Sequence, residues 1–271
     1  MTLRLRSGQA ALLAAVVATA TLAGQGRINN GQLETRTASQ PLEREIAATT
    51  ARGGARWVAY RIRIAGGRRS MDCFDRARIA LESATELSVL ARFEGTAVVR
   101  LRTATPDCEI DAGGLPVTWL EGVKADESAA WLNSLVSGTP STGERYDRIA
   151  KPALVALAMH EGAVATRSLV AIARDHAISR MRSDALFWLG QRAGNQAVAA
   201  IAEAIDRDPD TEVKKKAVFA LSQLPKDDGV PKLIDVARNN RNAEVRKQAM
   251  FWLGQSNDPR ALKFFEDVLL K

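Results

Sequence analysis

Hydrophobic positions in the C-terminal half of the chain recur with a period of 32 residues. The phrase Phe187-Trp188-Leu189-Gly190-Gln191 returns as Phe219-Ala220-Leu221-Ser222-Gln223, then as Phe251-Trp252-Leu253-Gly254-Gln255. Ala153, Ala185, Ala217 and Ala249 share one column, and Leu157, Leu189, Leu221 and Leu253 another. Leu169, Ile201, Leu233 and Phe265 align further on, as do Ile172, Ala204, Val236 and Val268. A fixed period of this size marks a stacked-repeat architecture. Four units fit between Tyr146 and Lys271. The first is degenerate, with Val155-Ala156-Leu157-Ala158-Met159 in place of the phrase.

Each unit reads as two helices. In the third, Val213, Ala217, Ala220, Leu221 and Leu224 form one stripe at helical spacing. Asp208-Pro209 ahead of it suits a cap followed by proline in the first turn. Pro225 and Asp227-Asp228-Gly229 break the chain, and a second helix carries Val230, Leu233, Val236 and Ala237 on one face. Asp258-Pro259 opens the matching helix of the fourth unit. Neither helix buries its face alone, so the pairs are predicted to stack into an all-α solenoid over residues 146–271.

Glu244-Val245-Arg246, then Ala249, Leu253-Gly254, Leu262 and Phe265 resemble a short HEAT repeat, closest to the PBS-lyase HEAT-like subgroup. The resemblance implies a fold more than an activity, since this architecture serves mostly as a scaffold. Some relatives are enzymes or act beside them, among them bilin lyases and deoxyhypusine hydroxylase. The hydroxylase holds two irons on repeated His-Glu pairs. This chain has two histidines, and only His160-Glu161 forms such a pair, so a di-iron site does not carry over.

The pattern changes period upstream. Val58, Tyr60, Ile62 and Ile64 alternate with Trp57, Ala59, Arg61 and Arg63 as in a strand. Glu86 to Phe93 and Thr96 to Thr103 flank Glu94-Gly95 as a hairpin. Gln32 to Thr37 and Val117 to Leu120 are shorter strands, while Pro41 to Thr50 and Asp126 to Val136 are helices. Residues 27–137 are thus predicted to form a small α+β domain with a mostly antiparallel sheet, joined to the solenoid by a Gly/Ser/Thr/Pro-rich linker over 138–145.

Residues 1–26 read as a secretory signal. Arg4 and Arg6 precede an apolar run from Ala10 to Ala23 that is too short to span a bilayer. Cleavage is expected near Ala23, giving an exported periplasmic or secreted protein with no transmembrane segment. Removing Arg4 and Arg6 lowers the formal charge from +7 to +5. That modest basic excess, without interleaved aromatic residues, does not point to nucleic acid. Lys214, Lys215 and Lys216 form the densest basic run, and Arg182 and Arg246 share the column of Lys214. They read either as a solvated helix face or as a basic ridge for an acidic partner.

Cys73 and Cys108 are the only cysteines. In an oxidising compartment they read as a disulfide, contributing about 3.8 kcal/mol by loop entropy; the alternative is a reactive thiol. Asp206-Arg207-Asp208-Pro209-Asp210 resembles the start of a calcium loop, but Thr211 and Ala217 occupy the positions that need glycine and glutamate. Phosphate loops, nucleophile elbows and H-E-x-x-H are absent. No catalytic residue, metal site or cofactor is therefore expected.

Two function classes follow: a non-enzymatic scaffold or protein-interaction module that engages a protein or peptide, and an enzyme or helper of a cofactor-attaching or oxidoreductase system. Two side-chain columns bear on the first. Phe187, Phe219 and Phe251 are expected to meet Leu186, Val218 and Met250 across repeat boundaries. At the last helix, Phe264 and Leu270 replace small or polar residues of earlier units. They are expected to form an exposed apolar edge for self-association or a partner, or else to fold back and fray.

Overall fold

A computed structural model describes residues 27–64, 85–106, 108–138, 143–192 and 194–270. The signal-peptide reading, Cys73 and residues 139–142 of the linker lie outside the described residues.

Five strands form the main sheet: β2 (Gln32–Thr37), β7 (Pro116–Glu121), β3 (Ala55–Arg63), β4 (Glu86–Glu94) and β5 (Ala97–Ala104), side by side in that order. The sheet is mixed, not mostly antiparallel. β3, β4 and β5 form an antiparallel meander, but β7 inserts parallel to both β2 and β3. The reason lies in the connection: α1 (Leu42–Thr50) carries the chain from β2 back to start β3 in the same direction, and β7 fills the gap between them. A second parallel pair, β1 (Arg27–Asn29) with β6 (Glu109–Asp111), sits beside it.

Both sheet faces are apolar, which suits strands as hydrophobic as Trp57-Val58-Ala59-Tyr60. Val58, Tyr60, Ile62, Leu87, Val89 and Phe93 face one core; Trp57, Ala59, Leu90, Val117 and Trp119 face a smaller one with Cys108 and Ala112. On the smaller side the Trp57 indole donates to the Ala112 carbonyl at 3.1 Å. Buried Glu45 accepts from the backbone N–H groups of Ser39 and Gln40, tying the β2–α1 turn. Those hydrogen bonds hold its carboxyl below the usual range against the cost of burial.

Helix α2 (Ala125–Gly138) joins the two halves. Ser128 donates to the Tyr60 hydroxyl at 3.1 Å, and Trp131 meets the Tyr60 ring edge-on. Its other side packs on α3 (Lys151–Met159) and α4 (Ala163–Asp175), so it covers the first repeat as another repeat would. One core runs without a break from the sheet through α2 into the solenoid. A backbone seam reinforces the junction: Glu161 N–H donates to the Arg63 carbonyl at 3.0 Å, beside a bridge between Ile64 and His160. His160 is buried, its Nδ1–H donates to the Glu161 carbonyl, and burial lowers its pKa.

The remaining helices are α5 (Ser179–Gly190), α6 (Asn195–Arg207), α7 (Thr211–Ser222), α8 (Lys226–Asn239), α9 (Ala243–Gln255) and α10 (Pro259–Leu269). They pair as α3/α4, α5/α6, α7/α8 and α9/α10, the four units of the sequence pattern. A π-helical turn, Tyr146–Ala150, leads into α3 and packs on β5. First helices lie side by side, and each second helix packs on the first helix of the next unit. Asp210, Asn242 and Asp258 cap α7, α9 and α10, each accepting an N–H from its first turn. Asp208 does not cap α7; it is buried and paired with Arg182.

Candidate interaction surface

The basic column is engaged within the chain, buried at Arg182 and half-exposed at Lys214 and Arg246. Arg182 grips Asp208 with two bonds, 2.7 and 3.0 Å, and donates to the His176 carbonyl at 2.9 Å. Lys214 Nζ donates to the Asp206 carbonyl at 2.7 Å, and Arg246 to the Asn240 carbonyl at 2.8 Å. All three meet carbonyls at the C-terminal end of the preceding second helix, where cations are favoured. The column is therefore a set of staples between units rather than a free ridge. Lys215 pairs with Glu212 at 2.9 Å along its own helix.

The phenylalanine column crosses repeat boundaries, ring against ring. Phe187 stacks on Phe219 with centroids 6.2 Å apart, and Phe219 meets Trp252 at 4.9 Å. Side-by-side first helices bring Phe187 onto its own column and Phe219 onto the neighbouring tryptophan column. The rings of Phe187 and Phe219 stay half-buried, while Leu186 and Val218 are fully buried. Gly190 explains why Ala220 replaces tryptophan in the second phrase. A Cβ on Gly190 would lie 2.6 Å from the Ala220 carbonyl oxygen, so α5 and α7 touch backbone to backbone there.

The exposed edge exists, but Phe264 is not part of it. Phe264 is 2% exposed, and Arg238 of α8 lies over its ring at 5.3 Å. The side chain turns back onto the preceding second helix, α8. Leu270, at 86%, is exposed as expected. The rest of the edge comes from columns that are buried or half-buried in earlier units. Leu262 is 63% and Leu269 84% exposed, whereas Val230, Ile205 and Ala237, their counterparts, are buried. Met250 and Phe251, at 36% and 54%, are the most exposed members of their columns. The glycine column agrees: a Cβ on Gly254 would meet open space. The alignment contained this signal, for the apolar columns continue into α10, where no described residue covers them.

Cys108 is buried against the smaller core, its Sγ 3.1 Å from Thr105 Oγ1. Among the described residues no helix is long and apolar enough to cross a membrane, and no cluster of three or more metal-ligating side chains forms.

Residues 166–251 match the family model of HEAT repeats. The chain thus carries HEAT repeats in its helical half. No curated protein matches it. Solved structures that match include human deoxyhypusine hydroxylase in complex with glycerol, 19% identical, at a TM-score of 0.39. That likeness covers 47% of this chain and 43% of the other, so the chain spans less than half of that relative.

Proposed function

We propose that the protein is a non-enzymatic scaffold acting by protein–protein contact through the open end of its solenoid, and that a second copy of the chain occupies that end. The supporting observation is the interior chemistry on the last unit's outer face: Leu262 and Leu269 on α10, with Met250 and Phe251 on α9. Terminal repeats ordinarily show water a polar face. In every earlier unit a second helix is covered by the next first helix. A second copy offers such a helix in its own α9, and a two-fold axis would set each α10 on the partner's α9. We read the protein as exported after cleavage near Ala23, with Cys73 and Cys108 joined as a disulfide.

Light scattering across a concentration series tests the assembly. The wild type is expected to dimerise and Leu262→Lys to remain a monomer, its melting temperature matching the wild type's only at dilutions where the wild type is monomeric too. A wild type that stays monomeric at high concentration would refute it. Non-reducing peptide mapping tests the disulfide; full labelling of both thiols in unreduced, denatured protein rules it out.

A further inference from the structure

Five arginines converge where the sheet meets the helices, far in sequence from the open end. Arg92 on β4 and Arg100 on β5 stand directly opposite in the antiparallel ladder. Like charges in that position repel. The register shifts at the same place, between Arg92 and Phe93. Arg102 lies two residues along β5, on the face of Arg100. The π-helical turn packed against β5 contributes Arg148, with Arg145 just ahead of it. Arg92, Arg100, Arg145 and Arg148 line one cavity of about 260 Å³ with Glu94 and Glu144.

Protein groups do not balance this charge. Glu94 meets Arg92 at 3.0 Å and Glu144 meets Arg148 at 3.1 Å, both in solvent-exposed pairs. Such pairs are weak and screened. Among the described residues, Arg100 and Arg102 have no carboxylate within ion-pair reach. The Arg92 Nε is buried without an acceptor. Burial, then the charges of Arg102, Arg148 and Arg92, push the Arg100 guanidinium below its ordinary range. Four arginines against two glutamates leave the cavity lining at +2.

We propose that this cavity binds a doubly charged tetrahedral oxyanion of the phosphate type, as the free ion or as a small monoester. Guanidinium forks match oxyanions with paired N–H donors. A dianion neutralises the lining, whereas a single carboxylate leaves it positive. The lining offers no aromatic platform for bases, which sets it apart from a nucleic-acid groove.

The test is a titration of the full chain with sodium phosphate, and separately with glycerol 3-phosphate, at ionic strength held constant with chloride. Calorimetry and thermal unfolding provide the readouts. A saturable rise in melting temperature is expected with at least one of the two. The tighter binder identifies the source as free ion or ester. Arg100→Gln should weaken binding at least about tenfold, the factor for losing a charge-assisted hydrogen bond. It should also melt above the wild type in phosphate-free buffer, because a repulsion is gone. Arg148→Gln, on an exposed turn, gives a second variant in case Arg100→Gln fails to fold, and should weaken binding too. A response no greater than that to chloride, or one unchanged in the folded variants, overturns the site. Neither result depends on whether the open end dimerises.

Discussion

The interior and terminal units of the solenoid share a sequence pattern and differ in what covers it. In α6 and α8 the columns of Leu262 and Leu269 lie against the next first helix, and in α5 and α7 the column of Met250 is fully buried. In α9 and α10 the same columns face solvent. The two ends of the solenoid differ as well. At the first unit, α2 provides the cover that a preceding repeat would have given; at the last, nothing among the described residues does so. Burial in a repeat protein is thus a property of position in the stack, and identical residues carry different energies along one column.

The basic column should show the largest contrast. Arg182 and Asp208 are both nearly buried and joined by two bonds. Arg182→Met strands the Asp208 carboxylate and should cost about 3–5 kcal/mol. Arg246, half-buried and bonded only to carbonyls, should cost less than about 1 kcal/mol on the same change. Urea midpoints at constant slope provide the measurement. Equal losses would mean that both positions act as generic helix-end cations.

Gly190→Ala comes next. Its new methyl would lie 2.6 Å from a backbone carbonyl of α7, which cannot step aside as a side chain would. Overpacking of this kind costs about 1–3 kcal/mol. A loss near zero would show that α5 and α7 sit farther apart than their backbones indicate.

The aromatic column sharpens the contrast further. Phe219 meets a ring on both sides, stacked on Phe187 and tilted against Trp252, but is only half-buried, so Phe219→Ala should cost about 1–2 kcal/mol, below the figure for a fully buried ring. Phe251→Ala, at the open end, should cost under about 0.5 kcal/mol in the monomer. If Phe251→Ala costs as much as Phe219→Ala, the terminal ring is covered in solution, and a dimer is the first explanation to test by dilution.

These contrasts also explain what could be read from the chain alone. The four units were legible because stacking imposes one environment on each column, and a period of 32 exposes it. The strand segments were legible from alternation. Their pairing was not: β7 lies between β2 and β3 through contacts that no local pattern encodes. The small β1 and β6 were invisible for the same reason. Helix α2 read as part of a separate domain, since an amphipathic stripe does not state which layer it will cover. Phe264 carried two readings, exposed edge or fold-back, because comparing its column with Ser168, Ala200 and Lys232 does not state how α10 packs; the buried ring takes the second. The arginine cavity had no sequence signature, for it joins the β4–β5 hairpin to a π-helical turn that lies far along the chain from it.

The smallest expected effect separates two versions of the open end. Gly254 occupies the column of Gly190 but faces open space, and it lies within α9 without positive φ. Gly254→Ala should therefore stabilise the monomer by about 0.5–1 kcal/mol, through helix propensity alone. If a second copy covers α9 as α7 covers α5, the added methyl meets backbone in the dimer, and dimerisation weakens while monomer stability rises. If the copy rests on α10 alone, stability rises and dimerisation is unchanged. Melting temperature at low concentration and light scattering at high concentration report the two quantities separately. A Gly254→Ala monomer less stable than wild type would be inconsistent with an uncovered α9, because an alanine in an open helical position has no contact to lose.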